Sequence, residues 1–254
     1  QDENMVACYV GENKKDMHSL TGSSVLARKE RDKGWSYEKF KEVLANPDHP
    51  EYDKVKAHRP LGKKINFTTE FGAMAPKLAM TMLVSESEAQ SYIDAKEAMF
   101  PGVRKWKNAV VEEAKRFGFV RTKLGAVRHL AVFFNGDDHW LKSKAERQAV
   151  NFKVQSSSGE MTKRAEGAMW RDGLFHDFDA ICYGPVHDEV VASVMLRDLQ
   201  AFAERMHGCM VRPYGGMTIP IESSFSFGRS FGEQIEVGLK PTPAAIAKGL
   251  KELN

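Results

Sequence analysis

Residues 181–194 read Ile181-Cys182-Tyr183-Gly184-Pro185-Val186-His187-Asp188-Glu189-Val190-Val191-Ala192-Ser193-Val194, and the reading of this stretch decides the fold. Ile181 and Tyr183 before the acidic pair, and Val190, Val191 and Val194 after it, have the composition of a buried two-stranded ribbon. Gly184-Pro185 marks a bend. Two adjacent carboxylates at such a bend suit something cationic. Taken alone, a solvated hairpin tip explains them equally well, so the neighbouring segments have to decide.

Upstream, a long helical pattern runs from about Ser143 to Met169. Before it, Phe119-Val120-Arg121-Thr122 and Val127-Arg128-His129-Leu130 read as a hairpin turning at Leu124-Gly125. The earlier residues are mostly helical. One helix ends near Val10, a second is capped by Asp16 or Ser19, and a third starts near Arg59-Pro60 and continues to about Phe71, with Gly72 as its stop. Residues 31–58 are polar and broken by Pro47 and Pro50. Ser85 and Glu88 form a capping box for a fourth helix, and Val103 to Phe117 forms a fifth, ended by Gly118. Downstream come a helix over 195–208, a strand over 217–225 and an amphipathic helix after Pro241 and Pro243. Helices first, then strands mixed with helices, predict an α+β sheet domain with a helical insertion.

With 254 residues, 42% hydrophobic and 28% charged, the chain is an ordinary globular protein of one large domain or two small ones. No apolar run reaches the length of a membrane span and no signal peptide is expected at its start, so no membrane partner is expected. Cys8, Cys182 and Cys209 are scattered and lack CxxC spacing, which argues against a disulfide framework or structural zinc and fits a reducing cytoplasm. Residues 1–130 hold 23 Lys and Arg against 18 Asp and Glu, while residues 131–254 hold 14 against 16. The first part suits polyanions; the second contains the acidic pair. The chain opens on Gln1 and reads as though entered mid-domain.

Three constellations carry chemistry. Arg59-x3-Lys63-x3-Phe67-x3-Phe71-Gly72 keeps two cations and two rings on one helical face, a pattern suited to a nucleoside triphosphate. An amphipathic helix with the rings in the core would give the same spacing. Arg147-x3-Asn151-x3-Gln155 is a row of hydrogen-bond donors that can follow a nucleic-acid minor groove, or simply face solvent. Asp16-x-His18 lies near a helix start and gains interest only if it faces Arg59 and Lys63.

Together these segments resemble the polymerase core of the DNA polymerase I family, the family A DNA polymerases. Asp16-Met17-His18 with Thr21 resembles the family's D-I-H-x-x-T, and residues 59–72 (RPLGKKINFTTEFG) resemble its nucleotide-binding fingers helix, R-x3-K-x3-F-x3-Y-G, extended by Ala75 and Leu78. Phe100-Pro101-Gly102-Val103 resembles Y/F-P-G-V. Phe119-Val120-x-Thr122 with Gly125 and Arg128 resembles the G-Y-V-x-T-x-x-G-R-R hairpin. Glu146-Arg147-x3-Asn151-x3-Gln155 resembles E-R-x3-N-x-P-I-Q, and Val186-His187-Asp188-Glu189 resembles the palm motif V-H-D-E. The departures are Phe71 for Tyr, Lys153 for Pro, Glu160 for Asp and a degraded Gly125-Ala126-Val127-Arg128. Divergent linkers of this kind are often met in phage members.

The resemblance implies a right-hand fold with helical fingers over 1–130, an antiparallel-sheet palm over 131–239 and a tail over 240–254. It implies template-directed DNA synthesis, with primer–template DNA and dNTPs as partners and two Mg²⁺ ions, about 3.5–4 Å apart, as cofactors. Asp188 would bridge the metals, with Glu189 beside it. His18, Arg59 and Lys63 would hold the triphosphate, Lys63 doubling as a general acid. Phe67 and Phe71 would pack on the deoxyribose and the nascent base pair, and Phe at position 67 implies discrimination against nucleotides lacking a 3′-hydroxyl. Arg128, Arg147, Asn151, Gln155 and His187 would lie along the DNA. The family's D-x-S-x-x-E-L-R motif, its thumb and its exonuclease domain are not in the sequence, which implies a split or truncated enzyme completed by a second polypeptide. A single-subunit RNA polymerase and a non-catalytic DNA-binding fragment are the rival readings.

Overall fold

A computed structural model describes residues 2–12, 14–32, 34–70 and 72–253. Two compact units emerge: residues 1–120 with 127–152, and residues 121–126 with 153–254. The division falls inside one long helix. In the first unit, Val120 and Leu130 share a buried cluster with Val110, Ala145 and Ala149.

The first unit holds α1 (Glu3–Val6), α2 (Met17–Lys29), α3 (Tyr37–Ala45), α4 (Tyr52–Glu70), α5 (Ala75–Met82), α6 (Glu86–Met99) and α7 (Pro101–Phe117). β1 (Phe119–Arg121) and β2 (Val127–His129) follow, then α8 (Ala131–Phe134) and α9 (His139–Arg171), which continues into the second unit. Side-chain oxygens start several of the helices: Asp2 accepts from the Met5 amide, Asp16 from His18, Ser36 from Lys39 and Ser85 from Glu88. Each satisfies an amide that the first turn leaves without a carbonyl. Gly118, at φ 71°, ends α7 in the left-handed conformation that glycine adopts without strain.

α4 corrects the expected start at Arg59-Pro60. It begins at Tyr52 and carries Pro60 inside it, although an interior proline costs a helix about 3 kcal/mol. The added turns are held by burial. Val55 is fully buried in a cluster with Leu26, Trp35, Phe40 and Val43, which offsets the cost by about 1.5–3 kcal/mol. Trp35 itself is 3% exposed; its indole N–H donates to Glu30 at 3.1 Å, and the Lys39 ammonium lies 4.3 Å from the ring centroid. At the other end of α4, the buried Lys96 ammonium donates to Thr69 Oγ1 at 2.7 Å and to the Glu70 carboxylate at 2.9 Å. Lys107 pairs with the second Glu70 oxygen at 3.1 Å. Burial pushes the Lys96 pKa down, against the opposing pull of Glu70.

The second unit contains the remainder of α9, then α10 (Leu174–Asp177), β3 (Ile181–Val186), β4 (Glu189–Ser193), a 3₁₀ turn (Leu196–Asp198), α11 (Leu199–Met210), β5 (Phe225–Ser230), β6 (Glu233–Gly238) and α12 (Pro243–Glu252). Among the described residues the strands pair as three separate two-stranded ribbons, β1–β2, β3–β4 and β5–β6. The β3–β4 and β5–β6 pairs are antiparallel. The strand expected at 217–225 is not formed; only Phe225 of it is extended into a ladder. Pro220 lacks the N–H that pairing needs, and Gly215 and Gly216 turn the chain at φ 60° and 67°. α12 packs its apolar face: Ile246 is buried with Phe227 and Ala203. No helix among the described residues is long and apolar enough to cross a membrane.

Candidate functional site

In the first unit, α2 and α4 cross closely enough to join two of the sequence constellations. The crossing is made by glycines. A Cβ on Gly62 would meet the His18 carbonyl oxygen at 2.2 Å, and one on Gly22 would meet the His58 oxygen at 2.8 Å. Without side chains there, the start of α2 lies against the middle of α4.

The consequence is a mixed face. Asp16 accepts from Arg59 Nε at 2.7 Å and from the Ser19 hydroxyl at 2.7 Å. Burial pushes the Asp16 carboxyl up, but Ser19 and Arg59 outweigh it and hold it below its usual range. His18 stacks near Phe67, with ring centroids 5.8 Å apart, and Lys63 Nζ lies 5.8 Å from the Phe67 centroid. Lys63 and Phe67 are exposed, while Ile65 and Asn66 on the opposite side of α4 are buried. Phe67 therefore does not fill the core, as a plain amphipathic helix would require. Phe71, the last member of this row, lies outside the described residues.

Sequence reasoning missed one participant and one contact. Asn66 was not singled out, yet its amide bridges α4 to Met17, His18 and Thr21 on α2. Asp16, expected as a helix cap, also orients the Arg59 guanidinium. The signal for Asn66 was present: a polar residue on the apolar side of a helix has to find partners.

The row on α9 is less uniform than its spacing suggests. Arg147 donates to Ser143 at 2.7 Å, and its stem packs against Gly72, where a Cβ would meet Arg147 Cγ at 3.1 Å. Asn151 is partly buried and Gln155 exposed, at successive turns of the same helix. Arg128, on β2, donates to Gln148 of α9 at 3.1 Å. In the second unit, Glu160 of α9 braces the loop between β1 and β2. Its carboxylate accepts from the Thr122 hydroxyl at 2.5 Å and from the Ala126 amide at 3.2 Å.

The acidic pair lies on the second unit's β3–β4 ribbon. Cys182, Val190 and Ala192 pack against the core cluster containing Met169 and Phe202. The other side is open, with Ile181 60% and Tyr183 67% exposed. The ribbon expected to be buried is thus half-buried, because β-branched and aromatic residues mark a pleated surface with one covered face. Gly184, at φ 101°, sits where the register shifts, and the reversal itself is made by His187 and Asp188 between the paired Val186 and Glu189. His187, Asp188 and Glu189 are all exposed. Among the described residues no three His, Cys, Asp or Glu side chains gather as a metal site.

His187 holds φ 58°, a left-handed conformation that costs a non-glycine residue roughly 1–2 kcal/mol. His187→Gly is expected to raise stability by about 0.5–1 kcal/mol, after the added chain entropy of glycine is deducted. A urea midpoint that falls or stays unchanged would show that the turn is unstrained.

Comparison with known proteins gives the family. The family model for DNA polymerase family A matches residues 40–233. DNA polymerase I of Treponema pallidum is 27% identical over 187 residues, which cover 71% of this chain and 18% of the relative. DNA polymerase theta of Drosophila melanogaster is 29% identical over 190 residues, covering 70% and 9%. The thermostable DNA polymerase I of Thermus aquaticus is 27% identical over 173 residues, covering 68% and 20%. The chain thus spans a fifth or less of the length of these relatives. In fold it is similar to the POL domain of Pol1 from M. smegmatis, solved in complex with DNA primer-template and dNTP, with a TM-score of 0.69 at 20% identity, over 94% of this chain and 36% of that one. The family match starts after α2, so His18 joins the face through its contacts with α4. With α4, α9 and the His187-Asp188-Glu189 turn all inside the matched span, the chain belongs to DNA polymerase family A.

Proposed function

We propose that this chain carries the nucleotide-binding face and part of the metal-binding site of a DNA-directed DNA polymerase, which joins a dNTP to a primer 3′-hydroxyl. The observation that supports it most is the convergence of His18, Arg59, Lys63 and Phe67 on one face in a chain of this family. Asp16 occupies Arg59 Nε, which turns the two terminal guanidinium nitrogens to phosphate. Lys63, one helical turn on, meets the next phosphate and is placed to protonate pyrophosphate as it leaves. Phe67, with Phe71 beyond it, packs on the deoxyribose. Arg128, Arg147, Asn151, Gln155 and His187 are assigned to primer–template DNA. Residues 1–130 act as fingers, 131–239 as palm, and 240–254 as a tail that braces the palm.

Family A polymerases generally use divalent metal ions. Asp188 and Glu189 are hard oxygen donors of the kind Mg²⁺ takes, and they are exposed and adjacent. With no third protein ligand beside them among the described residues, they fit part of a site. Two such ions, when bound, activate the primer hydroxyl and stabilise the leaving pyrophosphate. On this reading the remaining carboxylate is supplied by a second polypeptide.

The test is titration of the full chain with a fluorescent dATP analogue. Arg59→Ala and Lys63→Ala are each expected to weaken binding about tenfold or more, as loss of a charged hydrogen bond does. Affinities unchanged in both variants would refute the reading.

A further inference from the structure

Asn66 sits on α4 between Lys63 and Phe67 but on the buried side, 1% exposed. Its Nδ2 lies 3.3 Å from the Met17 carbonyl oxygen and 3.2 Å from His18 Nδ1, and its Oδ1 lies 3.0 Å from the Thr21 hydroxyl. A carbonyl oxygen only accepts, so the Asn66 atom facing Met17 is the amino group and the amide has one orientation. One amino hydrogen goes to Met17 and the other points at His18 Nδ1. That nitrogen has to accept, which leaves the ring proton on Nε2. The buried Thr21 hydroxyl shares its one hydrogen between Asn66 Oδ1 at 3.0 Å and the Met17 carbonyl oxygen at 3.1 Å, and completes the network.

We propose that Asn66 is a positioning residue, holding His18 as the neutral Nε2–H tautomer and presenting that donor beside Arg59, Lys63 and Phe67. What the donor meets rests on the nucleotide-binding reading above; the tautomer does not. The charged groups facing His18 are Asp16 at the start of its own helix, and Arg59 and Lys63 from α4. Burial lowers the His18 pKa, Asp16 raises it, and the two cations lower it again, leaving it below its ordinary value. A protonated ring would also set Nδ1–H against the Asn66 amino group, donor against donor. His18 thus adds a hydrogen bond to a triphosphate without adding a third charge that Arg59 and Lys63 would repel.

Long-range ¹⁵N–¹H spectra of the full chain labelled at histidine read the tautomer directly. At pH 7 His18 is expected to show a bare Nδ1 and a protonated Nε2; a proton on Nδ1 would overturn the proposal. Asn66→Asp replaces the donor with an acceptor. It is expected to raise the proton affinity of His18 at least about tenfold, as a carboxylate within hydrogen-bonding distance does, and to increase the ratio of dATP affinity at pH 6 to that at pH 8 relative to the native chain. Thr21→Val, which leaves the contact of Asn66 with Met17 in place, is expected to keep the native tautomer. If Asn66→Asp does not fold, the native spectrum decides alone. A chain that takes up no dATP but carries the Nε2 proton refutes the nucleotide reading and leaves the positioning standing. Uptake of dATP with Nδ1 protonated does the reverse.

Discussion

Under the proposed function, Asp188→Ala will lower primer extension by the polymerase that contains this chain by a factor on the order of a thousand. That factor is the several kcal/mol of transition-state stabilisation a bound metal supplies, at about 1.4 kcal/mol per tenfold. The unfolding midpoint will stay where it is, because Asp188 is exposed at the tip of the β3–β4 ribbon and no core residue rests on it. This separation gives the test its force. A substitution in the scaffold lowers activity by loosening the fold, whereas this one removes activity from an intact fold. Template-primer binding, measured by anisotropy without nucleotide, should change by less than about twofold, within the usual tolerance of surface substitutions. Extension that survives at more than a trace would remove Asp188 from the metal site.

Gly62→Ala will produce the opposite combination. Alanine favours a helix by about 1 kcal/mol over glycine, so on propensity alone α4 would gain. The added Cβ, however, has nowhere to go: it would stand 2.2 Å from the His18 carbonyl oxygen and 2.7 Å from the Gly22 amide nitrogen, and both are backbone atoms that no rotamer change can move. α2 and α4 must separate, at a cost of about 3 kcal/mol or more for overpacking of this kind. A net loss of about 2 kcal/mol is expected in urea denaturation. Because the same crossing brings His18 to Phe67 and Asp16 to Arg59, dATP affinity should fall together with stability. A Gly62→Ala chain as stable as the native one would show that the two helices can slide apart without penalty.

Much of the architecture was legible along the chain because the signals were local. Ser85, Gly118 and Pro243 mark helix ends through hydrogen bonds and φ angles decided within one turn. The start of α4 was not legible, since Pro60 is a strong local signal and Val55 a weak one, and only tertiary burial reverses their order. The packing of α9 on the hairpin was not legible for the same reason: Ala145 and Ala149 carry no mark that they share a buried cluster with Val120 and Leu130. At the candidate site, four-residue spacing found Arg59, Lys63 and Phe67 because one face of one helix is a property of sequence. Asn66 escaped because its partners lie 45–49 residues away, and the glycines of the crossing escaped because a missing side chain has no chemistry to notice.

The enclosure of Trp35 has an optical consequence. The other three tryptophans, Trp106, Trp140 and Trp170, are 40–63% exposed, so they emit from an aqueous environment. Trp35 is sealed among Phe40, Val43 and Val55, with the Lys39 ammonium against its ring. Its emission is therefore shifted to the blue and is sensitive to that charge. Because Val55 belongs to the opening turns of α4, the blue edge of the spectrum reports whether the helix carrying Arg59 is seated. The chain carries its own fluorophore for that helix, with no label required.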